Sequence, residues 1–580
     1  MPSKRKHQPR QPGFSKSTHL LLIVAVAFLT YSNALRGGFV WDDELQIVKN
    51  WQIRGLSYIP SAFGSAFWTF ADPEAGARTN FYRPVQTLSY IAAFQIGGLV
   101  PWPFHLLNIL FHVLASLLVY LICLELKISP GAAAIGAAIF ATHPIHSETV
   151  AWAAGTPDAS CAVFYFLSLL FWQKFMNTTQ QKWRWMSAAS FLAALFSKEM
   201  AVTLPAIVLL LMFKDGRVAR DGAKRTALDV APLVFAGVIY VMARVMALGF
   251  ISTTHLKIQA SMLDWVTLCL RVFGQYVQYA LVPYPLSAYH LIPLHFTDRV
   301  LSTLLYALLI VIAGFTAFLL DRRIRGVSLW AIAFAVMLIP VFNFTGISLT
   351  FFAERYLYIP SLVVSIIVGL ILSRSGKNAT VAVMGIVAAF GIYSFVRNQD
   401  WGSDEKLYAS ILRVQPEVAH IRNNLADIYI KSGQDNLAKA NLEASLKSLE
   451  STIYLQADNE KYRAQVGLGA LAARHQQYAE AKDHLNEALK INPRGDWAYL
   501  YLGGVVMEEG GNYELAMQLF RKAIDLGPVN EVARDYMGVA LFNMKRYKEA
   551  VPYFQEALKI NPTYKDAQVH LDMVSRVPAS

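Results

Sequence analysis

The chain has 580 residues and a formal net charge of +12, with 55% hydrophobic and only 16% charged residues. These averages combine two materials: long apolar runs up to about residue 396, then, after Arg397, a stretch rich in Ala, Leu, Lys, Glu and Tyr, so a single water-soluble globule is excluded. The basic excess lies in the N-terminal tail and the loops 214–225 and 322–325, which makes it a topology signal rather than a nucleic-acid surface. Cys123, Cys161 and Cys269 all fall in apolar segments, with no disulfide framework and no CxxC motif.

In chain order, residues 1–18 read as a basic cytoplasmic tail, carrying Lys4, Arg5, Lys6, Arg10 and Lys16. The apolar run 19–35 has no convincing cleavage site and reads as a retained span. With the tail inside, the triplet Asp42-Asp43-Glu44 emerges on the far side of the membrane. Further apolar segments lie at 103–125, 131–142, 156–176, 185–197, 200–213, 227–249, 300–320, 327–344, 352–372 and 378–396. Several are shorter than the ~20 residues of a perpendicular span and imply tilt or a locally thinned bilayer. The basic loops 174–184, 214–225, 321–325 and 374–377 assign the cytoplasmic side. Loop parity then makes the segments 85–98 and 262–282, the latter with Arg271 at its middle, interfacial or re-entrant. The expected architecture is all-α: a helical bundle of about eleven spans at 19–396, a connector at 397–417 and a soluble domain at 418–580 on the outer side.

The soluble part is repetitive. Ala481, Leu485, Ala488 and Pro493 recur as Ala516, Phe520, Ala523 and Pro528, then as Ala550, Phe554, Ala557 and Pro562. Leu468-Gly469, Leu502-Gly503 and Met537-Gly538 mark the first helix of each unit, and a more degenerate unit starts near Val418. The period, the small residues and the trailing proline match the tetratricopeptide pattern, which predicts an α-solenoid whose concave face binds a polypeptide.

Loop parity places five polar clusters on the outer face: Asp42-Asp43-Glu44; Tyr82-Arg83-Pro84; His143-Pro144-Ile145-His146-Ser147-Glu148; Ser197-Lys198-Glu199; and Glu354-Arg355-Tyr356. Asp42 or Asp43 suits a general base for a hydroxyl nucleophile. Arg355 offers a planar fork of donors to a phosphate, with Arg83 and Arg271 as further cations. Lys198 and Glu199 read as a mutually neutralising pair that helps shape the site. His143, His146 and Glu148 are zinc-ligand types, but His-x-x-His is not the i, i+4 pair and Pro144 interrupts a helix, so no metal is assigned and hydrogen bonding around a phosphate or sugar is expected instead. Asn108 and His112 share a helix face, as glue between helices or as cavity lining. No GxxxxGK[ST] or strand–GxGxxG–helix unit supports a nucleotide site.

In their order these motifs, with Phe104-His105-Leu106-Leu107-Asn108 and Tyr356-Leu357-Tyr358-Ile359-Pro360-Ser361, resemble the transmembrane and tetratricopeptide-repeat protein O-mannosyltransferases and their bacterial relatives, of the GT-C glycosyltransferase class. The resemblance implies an inverting enzyme that takes a sugar, typically mannose, from a polyprenyl phosphate and transfers it to Ser or Thr hydroxyls of a polypeptide. It places the base at Asp42 or Asp43; from the residues themselves the donor phosphate and sugar are expected among Arg355, Glu354, Lys198, His143, Glu148 and Arg83. Membrane lipid and an acceptor polypeptide are the expected partners, nucleic acid is not, and the lipid-linked sugar is a substrate rather than a cofactor. The short repeat array fits a bacterial inner membrane with periplasmic repeats; in a eukaryote the repeats would be lumenal. One departure is that Gly155-Thr156-Pro157-Asp158 lacks the Arg common in relatives. The alternatives are a membrane-anchored repeat scaffold for envelope assembly, and a GT-C enzyme that glycosylates a glycan or lipid.

Overall fold

A computed structural model describes residues 14–71, 80–250, 261–291, 300–342, 352–451 and 457–576. The protein is all-α, with no strand among the described residues. Its contacts divide it into two units, which part between Ser410 and Ile411.

In the first unit, α1 (Lys16–Tyr31) enters behind the N-cap Ser15, whose hydroxyl accepts the Thr18 N–H. A run of short turns and α2 (Ile59–Gly64) leads to α3 (Pro84–Gly97) and α4 (Trp102–Glu125), each of which opens on a proline in its first turn, where the missing N–H costs nothing. Then come α5 (Pro130–Thr142), the one-turn α6 (Ser147–Ala151), α7 (Thr156–Thr178), α8 (Gln181–Ser197), α9 (Leu204–Lys214) and α10 (Arg217–Leu248), which is kinked at Gly222. The unit continues through α11 (Met262–Leu281), α12 (Val300–Asp321), α13 (Val327–Leu338), α14 (Ser361–Leu372) and α15 (Lys377–Arg397). α16 (Asp404–Val414) follows.

Each of the eleven expected apolar segments contains a helix, but α14 begins only at Ser361 of the segment 352–372, and residues 343–344 of the segment 327–344 lie outside the described residues. Among the described residues six stretches are long and apolar enough to cross a membrane: Lys16–Arg36, Trp102–Glu125, Ala153–Thr178, Arg217–Leu248, Val300–Asp321 and Lys377–Gly402. Three further apolar helical stretches, Pro130–Thr142, Val327–Phe342 and Ser361–Leu372, are too short to cover a bilayer core alone, and pack among their neighbours. α4, α5, α7 and α14 form the interior, with Tyr120, Phe140, Tyr165, Phe166 and Trp172 buried between them. α12, by contrast, exposes Leu301, Leu305, Leu308, Val311 and Phe315, a surface suited to hydrocarbon. α11 is amphipathic: Thr267, Leu268, Arg271 and Val272 are buried while Met262, Leu263 and Val266 are exposed.

The second unit is a stack of helix pairs: α17 (Ala419–Lys431) with α18 (Asp435–Ser451), α19 (Ala457–Arg474) with α20 (Tyr478–Ile491), α21 (Asp496–Gly510) with α22 (Tyr513–Leu526), and α23 (Glu531–Asn543) with α24 (Tyr547–Ile560), closed by α25 (Lys565–Ser575). The repeated glycine has a packing cause. A Cβ on Gly469, Gly503 or Gly538 would lie 2.7, 2.6 or 2.5 Å from Leu485, Phe520 or Phe554 of the paired helix. The large residue of the second helix therefore fills the space that the first helix leaves empty.

Candidate active site

The acidic triplet follows α1 in a tight turn. Asp43 N–H donates to Val40 O at 3.0 Å, and Trp41 inside the turn has a left-handed φ of 53°. The two aspartates have different surroundings. Asp43 is fully buried, and both its oxygens are taken by backbone donors: Oδ2 by Val40 N–H at 2.9 Å and Oδ1 by Ala154 N–H at 2.8 Å. It ties the 40–43 turn to the 153–155 turn. Asp42 is half-buried, and among the described residues no backbone N–H donates to its carboxylate. Burial raises its pKa above the ordinary carboxylate value, while the charge of Arg355 and a hydrogen bond from Gln46 pull it back. Glu44, exposed, pairs with Lys49 at 3.6 Å.

The 153–155 turn is itself fixed from below. Asn108 of α4 donates to Trp152 O at 2.8 Å and to Ala153 O at 3.2 Å, and accepts the Thr156 hydroxyl at 2.7 Å. A Cβ on Gly155 would meet Thr149 O at 2.3 Å, so only glycine fits there. His112, one turn along α4, bonds Tyr358 Oη at 2.7 Å and Ala141 O at 3.0 Å. Asn108 and His112 thus act as glue between elements.

Around this frame three cation–carboxylate pairs meet. Arg355 gives both its backbone N–H, at 2.8 Å, and a guanidinium N–H to Glu148. Lys198 Nζ lies 2.6 Å from both oxygens of Asp158. Arg83 makes a fork to Glu199, at 3.0 and 3.4 Å. The Tyr356 ring joins two of them, with Arg355 Cζ 5.2 Å and Lys198 Nζ 5.0 Å from its centroid. Burial works against the Arg355 cation, but Glu148 outweighs it and holds the guanidinium firmly protonated. Glu199 is half-buried, and although desolvation raises its pKa, Arg83 brings it below the usual value. Of the three cationic side chains Arg355 is the most exposed, at 21%, against 15% for Arg83 and 7% for Lys198.

Several expectations are corrected. Lys198 and Glu199 do not neutralise each other. Lys198 is extended, at φ −162° and ψ 145°, so the two neighbours point to opposite sides and find separate partners. Glu354 does not join Arg355. Its buried carboxylate accepts Arg397 Nη2 at 2.9 Å, His290 Nε2 at 3.1 Å and the Ser287 N–H, which makes it an anchor for the loop after α11. Glu148 is paired with Arg355. His143 is also engaged elsewhere: Nε2 faces Ala280 O at 3.2 Å and Nδ1 accepts the Ile145 N–H at 3.3 Å, so no ring nitrogen is left for a phosphate. Arg271 is buried on α11. Two partners of the candidate site residues went unassigned from sequence, Asp158 beside Lys198 and Arg397 beside Glu354. For Asp158 the signal was the Gly155-Thr156-Pro157-Asp158 departure itself, since Lys198 supplies the cation beside that acid.

The fold is that of an apolar helical body of membrane type joined to a tetratricopeptide array. A family model described as dolichyl-phosphate-mannose-protein mannosyltransferase matches residues 84–243, and tetratricopeptide models match 419–448, 466–531 and 536–564. The chain is 25% identical to the human protein O-mannosyl-transferase TMTC3, across 96% of this chain and 65% of that protein. It is 35% identical to Tmtc2 of Drosophila melanogaster across 32% and 20% of the two chains. It therefore spans less than two thirds of the length of these curated relatives. Among solved structures the TPR domain of Arabidopsis OM64 aligns over 20% of this chain and 98% of its own, at 26% identity and a TM-score of 0.20. The chain thus combines a region similar to the dolichyl-phosphate-mannose-protein mannosyltransferases with tetratricopeptide repeats, and it is similar over most of its length to proteins named protein O-mannosyl-transferases.

Proposed function

We propose that the protein transfers mannose from a polyprenyl phosphate to Ser or Thr hydroxyls of a polypeptide, on the membrane face opposite its N-terminal tail. The observation that carries this reading is the division of labour between neighbouring aspartates: Asp43 has both oxygens committed to backbone N–H groups, while Asp42 keeps a partly exposed carboxylate under the influence of Arg355. A half-buried carboxylate with a raised pKa is a better base near neutrality than an exposed one. Asp42 takes the acceptor hydroxyl proton, the hydroxyl oxygen forms a bond to the anomeric carbon from the side opposite the lipid phosphate, and the carbon–oxygen bond to that phosphate breaks. The leaving phosphate takes up the bonding pair as negative charge.

Arg355, Lys198 and Arg83 are the cations for that charge. Each holds one carboxylate and has donors to spare, since a guanidinium carries five N–H groups and an ammonium three. The fixed carboxylates prevent the cations from reorganising when charge develops, which is what makes such donors effective. In the repeats, a cleft of about 380 Å³ runs along the first helices of successive units, floored by Gly504 and walled by Tyr501 and Tyr536, with Arg474 and Glu508 among its lining residues. It suits an extended polypeptide and gives the repeats the role of holding the acceptor. The membrane is read as a bacterial inner membrane with the repeats on its outer side.

The test is transfer of radiolabelled mannose from purified polyprenyl-phosphate mannose to peptide and protein acceptors by the full-length protein in bilayers. Label on Ser or Thr, released by base-catalysed elimination, is the expected result. Label on a glycan or lipid alone would overturn the acceptor, and no transfer from any mannosyl donor would overturn the reaction.

A further inference from the structure

The stretch between α15 and α16 does more than join the membrane helices to the repeats. It is packed against the turn that carries the proposed base. Asn398 Nδ2 donates to Thr30 O at 2.9 Å and to Asn33 Oδ1 at 3.0 Å. The Trp401 ring, almost fully buried, stacks on Trp152 with centroids 5.7 Å apart and planes at 24°. Gly402 O accepts the Gly38 N–H at 3.1 Å. Last, Asp404 Oδ1 accepts the Trp41 N–H at 2.7 Å. The ties to Gly38 and Trp41 reach the residues immediately before Asp42.

The Trp41 contact is the informative one. Trp41 is not a glycine, yet its φ of 53° lies in the left-handed region, which L side chains adopt only when their surroundings impose it. The Val40–Asp43 turn is closed on one side by the two Val40–Asp43 hydrogen bonds. On the other side its N–H is captured by Asp404, and the Trp41 ring lies 6.2 Å from Trp152. Without the Asp404 oxygen, the amide one residue before the base loses its partner and the turn loses the contact that opposes its relaxation. A shift of the base by about 1 Å is enough to cost about 10²-fold in rate.

We propose that Asp404 is a positioning residue for the transfer reaction: by accepting the Trp41 N–H it holds the left-handed turn that aims Asp42. The proposal rests on the reading of Asp42 as the base. It requires an oxygen at one place and no charge there, which separates it from an electrostatic role. Asp404→Asn keeps a carbonyl oxygen at the same reach; Asp404→Glu keeps the charge but moves the oxygens by a methylene; Asp404→Ala removes the acceptor.

The experiment compares these three variants, with Asp42→Asn in parallel, as full-length protein in bilayers. It measures kcat and the KM for polyprenyl-phosphate mannose and for acceptor, normalised to folded protein. The expected result is a kcat roughly ten- to hundredfold lower in Asp404→Ala and Asp404→Glu, both KM values within about twofold, and Asp404→Asn close to the parent. A kcat for Asp404→Glu equal to the parent, or one for Asp404→Asn as low as that of Asp404→Glu, overturns the proposal. If Asp404→Ala does not fold, the Asn–Glu contrast still decides. A fully active Asp42→Asn is the separate outcome in which the base assignment has failed, whatever Asp404 does.

Discussion

Asp42→Asn is expected to lower transfer by about 10²–10⁴-fold, the usual cost of losing a general base, with no loss of folded protein. The carboxylate is half-buried and takes no backbone donor among the described residues, so an amide of the same shape is tolerated there. Asp43→Asn is expected to behave in the opposite way. One of its two oxygens becomes an NH₂ group that faces a backbone N–H, either that of Val40 or that of Ala154. A buried donor left without an acceptor costs about 1–3 kcal/mol, and the join between the 40–43 and 153–155 turns opens. The variant should unfold at lower temperature and lose activity largely in proportion to folded protein. Thermal unfolding in detergent and initial rates per folded molecule, taken on both variants, separate the two roles. An Asp42→Asn variant with parental kcat would remove Asp42 from the chemistry, and an Asp43→Asn variant that is stable but inactive would move the base to Asp43.

Much of the site was legible because its parts lie in short turns with distinctive residues. The Trp41-Asp42-Asp43, His143-Pro144, Lys198-Glu199 and Glu354-Arg355 turns break the apolar runs, and loop parity is the sequence argument for a common face. What the sequence could not supply was the pairing. Arg355 meets Glu148 across 207 residues and Lys198 meets Asp158 across 40, and no local rule joins them. Adjacent residues misled for a geometric reason. Glu354–Leu357 is a 3₁₀ turn, in which successive side chains diverge by roughly 120°, so Glu354 turns to Arg397 while Arg355 turns to Glu148. The extended backbone at Lys198 separates it from Glu199 in the same manner. The repeats were legible in more detail, because each is a local helix pair whose glycine and large apolar partner recur at fixed spacing. Asp404 gave no signal at all: an acid at the start of a soluble helix reads as an ordinary first-turn charge, and only its contact with Trp41 distinguishes it.

Arg355 is where charge, exposure and pairing give the second large effect. Arg355→Ala is expected to reduce transfer by about 10²–10³-fold, the scale of losing one donor to a developing anion, and to weaken use of the lipid donor far more than use of the acceptor. The substitution also strands Glu148, whose side chain is 1% exposed, and an uncompensated buried carboxylate can cost about 3–5 kcal/mol. The informative form is therefore Arg355→Ala combined with Glu148→Gln, which removes the stranded charge. Arg355→Lys keeps a cation but not the planar fork, and should restore only part of the rate if the fork grips phosphate. A snorkelling anchor would be restored almost fully by lysine. The acid side of the pH–rate profile gives an independent reading. Asp42 must be ionised to act as a base, its pKa is raised by burial, and Arg355 opposes that rise. Removing the cation should move the acid limb to higher pH, so that activity is lost sooner on acidification; lysine should leave the limb near its parental position even where it fails to restore the rate. Donor titrations at several pH values on the three proteins measure both effects. A parental donor KM and rate in the alanine variant would shift the phosphate role to Lys198 and Arg83, and an unmoved acid limb would show that Arg355 does not act on the group that titrates.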